Sequence, residues 1–379
     1  MSQDFIRRLP DVGAGLSRRI DWVTNIHVDI PLLLLLMATA CYGLLILFSA
    51  ADQLMEPLMA QVMKFSVATV LMLVLAQISP IIYLRLAPWL FCLGIAFLIL
   101  VLWKGTEING SKRWLRIPGV AGFQPSELMK LVVPLVLAWY LHDRHLPPRT
   151  KHILGAIIMI LVPVLLIANQ PDLGTSLVIG ASGLLVLFLA GIRWGNVIGV
   201  VLASVVSAPA LWFVFKDYQK QRILTLFDPE RDPLGAGWNI IQSKTAIGSG
   251  GLFGKGLFQG TQSHLDFLPE RQTDFIISVL AEELGLFGVV ILLILYILVV
   301  GRGLIMAVQA QDTFGRLLAG SITFTFFVYV FINISMVTGV LPVVGIPLPL
   351  VSHGGTSIVT IFAGFGILMS IHTHRRIML

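Results

Sequence analysis

Charge is scarce in this chain. Of its 379 residues only 12% are Asp, Glu, Lys or Arg, against 56% hydrophobic, and the mean hydropathy is +0.89. A soluble domain carries about twice that charged fraction, so an ordinary water-soluble fold is excluded. Cysteine is nearly absent too. Cys41 and Cys92 both fall in apolar runs, which excludes a disulfide framework and reads as two small buried hydrophobes. No His, Cys, Asp or Glu set has metal-ligand spacing, and no Ser/His/Asp nucleophile pattern appears. The net charge of +6 would suit nucleic acid, but in so apolar a chain it reflects anchoring charges on the cytoplasmic side, and nucleic acid is discounted.

What is present is hydrophobic sequence in span-length pieces. A membrane helix needs about 20 predominantly apolar residues. Runs near 30–51, 58–78, 86–103, 126–141, 153–169, 175–191, 197–215, 275–300, 317–340 and 355–371 meet or approach that length. The expected fold is therefore all-α and polytopic: a single integral membrane domain over 1–379 with about ten transmembrane helices. Residues 1–29 carry Arg7, Arg8, Arg18 and Arg19 with no small-residue cleavage site, which suits a cytoplasmic segment ahead of an anchor rather than a removed leader.

Lys and Arg set the orientation. With the N-terminus inside, cytoplasmic segments hold Arg85, Arg144, Arg149, Lys151, Arg193, Arg302, Arg316, Arg375 and Arg376, and the tail 372–379 is cytoplasmic as well. The short outer loops 52–57, 170–174 and 341–354 hold none. Two loops break the bias from the outer side. One is 104–125, with Lys104, Lys112, Arg113 and Arg116; the other is the large periplasmic loop 216–274, with Lys244, Lys255 and Arg271 among its cations. Cations held outside against the usual rule suggest an anionic ligand, although the acids of the larger loop balance its own cations.

Ionisable residues inside spans mark function by default. Glu127 and Lys130 are spaced to pair on one helix face, as a structural bridge or as part of a site. Lys64 has a neighbouring helix as its simplest partner. Glu282 and Glu283 face different sides of one helix, so at most one is expected to point into the bundle. Asp172 and Glu127 stand at helix starts, where a carboxylate is favoured. Asp274 opens the eighth run, as a helix cap or as a general base whose pKa is raised by burial and opposed by Arg271. The glycine run 248–256 with Lys255 reads either as an anion cradle or as a flexible loop, and is no nucleotide P-loop. The stretch 341–356, broken by Pro342, Pro347 and Pro349, suits a re-entrant segment closing a groove, with His353 facing a ligand or a carbonyl.

Seven motifs together resemble one family. They are NGSKRWL at 109–115, FQPSELMKL at 123–131, QPDLGTS at 170–176, DPLGAGWNIIQSKTAIGSGGLFGKG at 232–256, FLPERQTDFI at 267–276, AEELGLFG at 281–288 and PLPLVSHGGTS at 347–357. The chain is similar to the SEDS family of shape, elongation, division and sporulation proteins, and to its elongation branch by the closing HTHRR and the FLPERQTDF form. The resemblance implies a multi-pass protein of the cytoplasmic (inner) membrane with both termini cytoplasmic. It implies a peptidoglycan glycosyltransferase that polymerises lipid II at the outer face during cell elongation, with Asp274 as the essential carboxylate. Glu127, Lys130, Arg113 and Asp172 match the family's supporting positions; Lys255 and Arg271 join them as candidate diphosphate ligands. A class B penicillin-binding protein, the elongation machinery and membrane lipids are the implied partners. Basic residues, or a bound divalent ion such as Mg or Mn, would offset the leaving diphosphate. The competing reading is a lipid II flippase, which shares broken segments and intramembrane charges.

Overall fold

A computed structural model describes residues 27–108, 111–115, 124–199, 217–231, 236–264 and 270–374, with single positions between 202 and 215. The described chain is mostly helical. Its first three helices are α1 (Ile30–Ala50), α2 (Met55–Gln77) and α3 (Pro80–Lys104). A hairpin of β1 (Thr106–Ile108) and β2 (Ser111–Trp114) follows, then α4 (Pro125–Leu141), α5 (Thr150–Ala168) and α6 (Leu173–Leu189). After these come α7 (Asp217–Phe227), α8 (Ala236–Gly250), the short α9 (Thr261–His264), α10 (Ile276–Val308), α11 (Thr313–Val337) and α12 (Thr356–Thr373). Among the described residues seven helices are long and apolar enough to cross a membrane, and α6 is a shorter apolar one. Helix α4 adds a further apolar rod interrupted by its charged pair. The expected span at 197–215, and Arg116, lie largely or wholly outside the described residues.

Helix starts follow local chemistry. Asp29 caps α1 by accepting from the Leu32 amide at 2.9 Å, Asp172 caps α6 through Thr175, and Asp312 caps α11 through Gly315. Proline opens α3 and α4, where a missing N–H costs nothing. The faces that result differ by position in the bundle. Helices α11 and α12 are buried along most of their length, whereas α2 turns Met55, Met59, Met63, Val67, Val70 and Val74 outward. That row suits lipid. Cys41 and Cys92 also lie exposed on outward faces, so they are not the buried hydrophobes expected from their apolar surroundings. In a lipid-facing bundle an apolar neighbourhood in sequence does not imply an interior position.

Two glycines shape the packing. Helix α2 lies against α12 closely enough that a Cβ on Gly366 would stand 2.5 Å from the Met72 carbonyl oxygen. In α10, Gly285 has φ +64° and breaks the helix, a backbone state that a side chain rarely adopts. The backbone groups freed there are taken by the glycine run. Lys255 and Gly256 amides donate to the Glu282 and Glu283 carbonyls, and the Leu286 and Phe287 amides donate to Gly251 and Leu252. The first turns of α10, Ile276 to Glu283, are buried on every side. Both glutamates therefore point into protein, contrary to the expectation for two adjacent helical positions. Glu283 accepts from Ser49 at 2.6 Å, and Glu282 accepts from Lys255, Thr261 and Gln262.

Candidate active site

Four of the residues singled out in the sequence meet in one cavity. Its volume is about 200 Å³, and Arg113, Gln124, Glu127, Lys130, Asp172 and Tyr329 line it, roofed by Gly345–Pro347 and Gly354–Ser357. Each side chain has a local reason to be there. Glu127 and Lys130 sit one turn apart near the start of α4 and form a buried ion pair at 2.5 Å. Lys130 also stands 4.9 Å from the centre of the Tyr329 ring. Asp172, fixed as the α6 cap, accepts from Gln124 at 3.2 Å. Arg113, at the end of the hairpin, approaches Asp172 at 3.9 Å and donates to the Pro171 carbonyl at 2.6 Å.

The cavity is not simply cationic, since each of its cations has a carboxylate beside it. Two polar atoms in its wall nevertheless lack partners: Glu127 Oε2 and Arg113 Nε are buried without a hydrogen bond. A buried acceptor and a buried donor left open cost roughly 1–3 kcal/mol each unless water or a ligand meets them. Among the described residues no three His, Cys, Asp or Glu converge to hold a metal ion. Glu127 and Asp172 do suit a hard cation such as Mg, which takes one or two carboxylates and completes its shell with water and phosphate oxygens.

Asp274 reaches the same roof. A Cβ on Gly345 would stand 3.6 Å from Asp274 Oδ2. The turn 270–274 is stitched to the roofing segment: His353 N donates to the Gln272 carbonyl at 2.7 Å, and the Ser352 hydroxyl donates to the Thr273 carbonyl. Asn333 of α11 bridges the Asp274 and Ile346 carbonyls at 2.9 and 2.7 Å. Asp274 is not the cap of α10, which begins after Phe275 with no side-chain cap bond. Burial pushes its pKa up to about 6, Glu270 adds to the rise, and Arg222 opposes it.

Arg271 does not supply the opposition expected of it. Its guanidinium pairs with Asp52 across the α1–α2 loop, and it lies outside the set that lines the cavity. Arg222 comes from α7, an amphipathic helix that the sequence reading left inside an undivided loop. Lys255 is also placed elsewhere. Its ammonium bonds Glu282 at 2.6 Å and Thr261 at 2.7 Å, and its run's amides serve the α10 break, so the cradle is filled by the protein's own carbonyls. Sequence reasoning also passed over Gln124, Tyr329 and Asn333. The QP before Ser126 was in view as a helix start, whereas nothing local marks Tyr329 or Asn333 within an apolar run.

Known proteins fit this architecture. The FtsW/RodA/SpoVE family, described as cell cycle proteins, matches residues 29–377. Escherichia coli K12 peptidoglycan glycosyltransferase MrdB is 51% identical over 356 residues, covering 93% of this chain and 96% of its own. The probable peptidoglycan glycosyltransferase FtsW of Geobacter metallireducens is 34% identical over 92% of this chain and 95% of its own. Among solved structures, one described as the structural coordination of polymerization and crosslinking by a peptidoglycan synthase complex gives a TM-score of 0.81 at 32% identity, over 92% of this chain and 99% of that one. Thermus thermophilus rod shape determining protein RodA gives 0.69 at 30% identity, over 91% and 96%. The family match spans nearly the whole chain and includes the residues that build the cavity and its roof, and the chain belongs to the FtsW/RodA/SpoVE family.

Proposed function

We propose that this chain is a peptidoglycan glycosyltransferase that polymerises lipid II at the outer face of the cytoplasmic membrane, in cell elongation, with Asp274 as its general base. Its relatives carry that enzyme name over nearly their full lengths. The observation that carries the residue assignment is Asp274 itself: a buried carboxylate with pKa raised to about 6, held against the roof of a polar cavity. Such a group is mostly ionised at neutral pH yet basic enough to accept a proton in the transition state.

The step follows from the substrate class. A sugar hydroxyl of the incoming lipid II gives its proton to Asp274 as its oxygen attacks the anomeric carbon of the growing chain. The bond from that carbon to the diphosphate breaks, and the electron pair leaves on the diphosphate. Arg113 and Lys130 offset that charge by exchanging part of their present ion pairs for phosphate oxygens. Were a divalent ion to enter, Glu127 and Asp172 would hold it, and it would supply the same charge stabilisation. Ten crossings with both termini cytoplasmic would put the cavity and the 216–274 region outside, where no nucleotide is available and a lipid diphosphate is. The partner in this reading is a class B penicillin-binding protein.

The test is glycan synthesis from labelled lipid II by the purified chain with its transpeptidase. Asp274→Asn inserts and binds the partner but makes no polymer, a loss of at least roughly a hundredfold. Near-normal polymerisation by that variant removes Asp274 from the role. A lipid II flippase, the rival reading, produces no polymer from the parent chain.

A further inference from the structure

Lys64 differs from three other cations of the helical bundle. Lys130 has Glu127, Arg302 has Asp29 and Lys255 has Glu282. Lys64, in the outer half of α2, has no carboxylate partner among the described residues; its ammonium meets only the His353 Nε2, at 2.7 Å. An ammonium has hydrogens and no free lone pair, so His353 accepts on Nε2 and keeps its proton on Nδ1. Burial and the Lys64 charge both hold the His353 pKa below its usual value, which keeps that ring neutral. The pair thus presents two ammonium hydrogens and an imidazole N–H with no acceptor among the described residues.

Its position is as informative as its charge. His353 is two residues from Gly355, which roofs the Glu127–Lys130 cavity, and its amide is tied to Gln272 in the turn that carries Asp274. Gln61, one turn before Lys64, donates to the Ser352 carbonyl at 2.9 Å and fixes α2 to the same segment. A Cβ on Gly355 would meet nothing within 4 Å, so the protein leaves open space beside the roof. Helix α2 faces outward with the apolar row from Met55 to Val74, so a lipid tail can lie along it while its head reaches Lys64. An unneutralised cation at membrane depth is costly by several kcal/mol on some scales and marks a ligand path when it persists.

We propose that Lys64 and His353 bind the diphosphate of a polyprenyl-linked substrate, at the roofing segment but outside the set that lines the Glu127–Lys130 cavity. This rests on the glycosyltransferase reading and deepens it: two lipid diphosphates must approach one base, and the bundle offers two cation groups beside the roofing segment to which the Asp274 turn is stitched, one lining the cavity and one, Lys64 with His353, outside that lining. The shared chemistry is a lipid-borne phosphate, which an ordinary phospholipid head also carries.

The test uses the purified full chain with its transpeptidase and two probes, undecaprenyl diphosphate and phosphatidylglycerol, titrated separately against a fluorescent polyprenyl diphosphate. The parent is expected to release the fluorescent probe to undecaprenyl diphosphate at least tenfold more readily than to phosphatidylglycerol. Lys64→Met and His353→Phe weaken probe binding at least tenfold and raise the KM for lipid II more than they lower kcat, and Lys64→Arg restores most of both. A merely structural Lys64 would change the thermal midpoint without that KM-weighted pattern or the rescue. Unchanged binding in well-folded Lys64→Met, or equal displacement by the two lipids, overturns the assignment. Because Asp274→Asn keeps probe binding and loses polymer, failure of that variant to lose polymer would count against the base, and not against this site.

Discussion

At the scale of single residues, Asp274 ties rate and stability to pH with opposite signs. Its folded pKa, about 6, lies above the ordinary carboxylate value, so keeping it ionised costs folding stability at pH well above 6, and the cost fades as pH falls through 6. Asp274→Asn is therefore expected to raise the thermal midpoint at pH 7.5 and to raise it clearly less at pH 4.5, while abolishing polymerisation. In the parent, kcat/KM should fall about tenfold per pH unit below about 6 as the base protonates. A flat profile from pH 7 to 5 would show that some other group takes the proton. The Glu127–Lys130 pair makes a second residue-scale case. Glu127→Gln leaves a buried ammonium with no carboxylate and should cost about 3–5 kcal/mol, whereas adding Lys130→Met should recover part of it. Denaturation midpoints of the three variants decide this, independent of activity.

At the scale of elements, the break in α10 matters most. A continuous helix would hide its own backbone groups; the break at Gly285 hands them to residues 251–256 and so fastens that segment to the bundle. Gly285→Ala would place a Cβ 2.4 Å from the Gly254 amide nitrogen in a backbone state with φ +64°. The expected result is loss of folded protein, read as a collapse of the monodisperse peak in detergent. Gly355→Ala, with open space around it, should leave that peak intact. These elements were unevenly legible beforehand. Helix starts at Pro80, Pro125 and Asp172 are written in proline and carboxylate chemistry. The amphipathic α7 and the β1–β2 hairpin were not separated from their loops, because short elements on a bundle's surface carry weak periodicity and are held by tertiary contacts.

At the scale of the whole molecule, the proposed function depends on sidedness. With Cys41 and Cys92 replaced by serine, a cysteine at Thr245 should react with a membrane-impermeant maleimide in intact spheroplasts, and one at Gln311 only after lysis. The reverse pattern would place the 216–274 region, and the chemistry argued for it, in the cytoplasm.

The sequence alone determined that the chain is a multi-span helical protein, because lipid demands long apolar helices, and that its exceptional charges lie near 113, 127–130, 172 and 274. The motifs, read together, determined the family. Only the tertiary structure decided which charges meet. Lys255 and Arg271 look like equal partners of Asp274 along the chain, yet packing commits them to Glu282 and Asp52. Asn333, distant and unremarkable in sequence, is brought against the Asp274 carbonyl instead, and it is the Arg222 charge that acts on the Asp274 carboxyl. The physical reason is that a buried charge settles with whichever opposite charge or carbonyl the packed helices place within reach, and in this chain that placement is made by the fold of non-neighbouring segments.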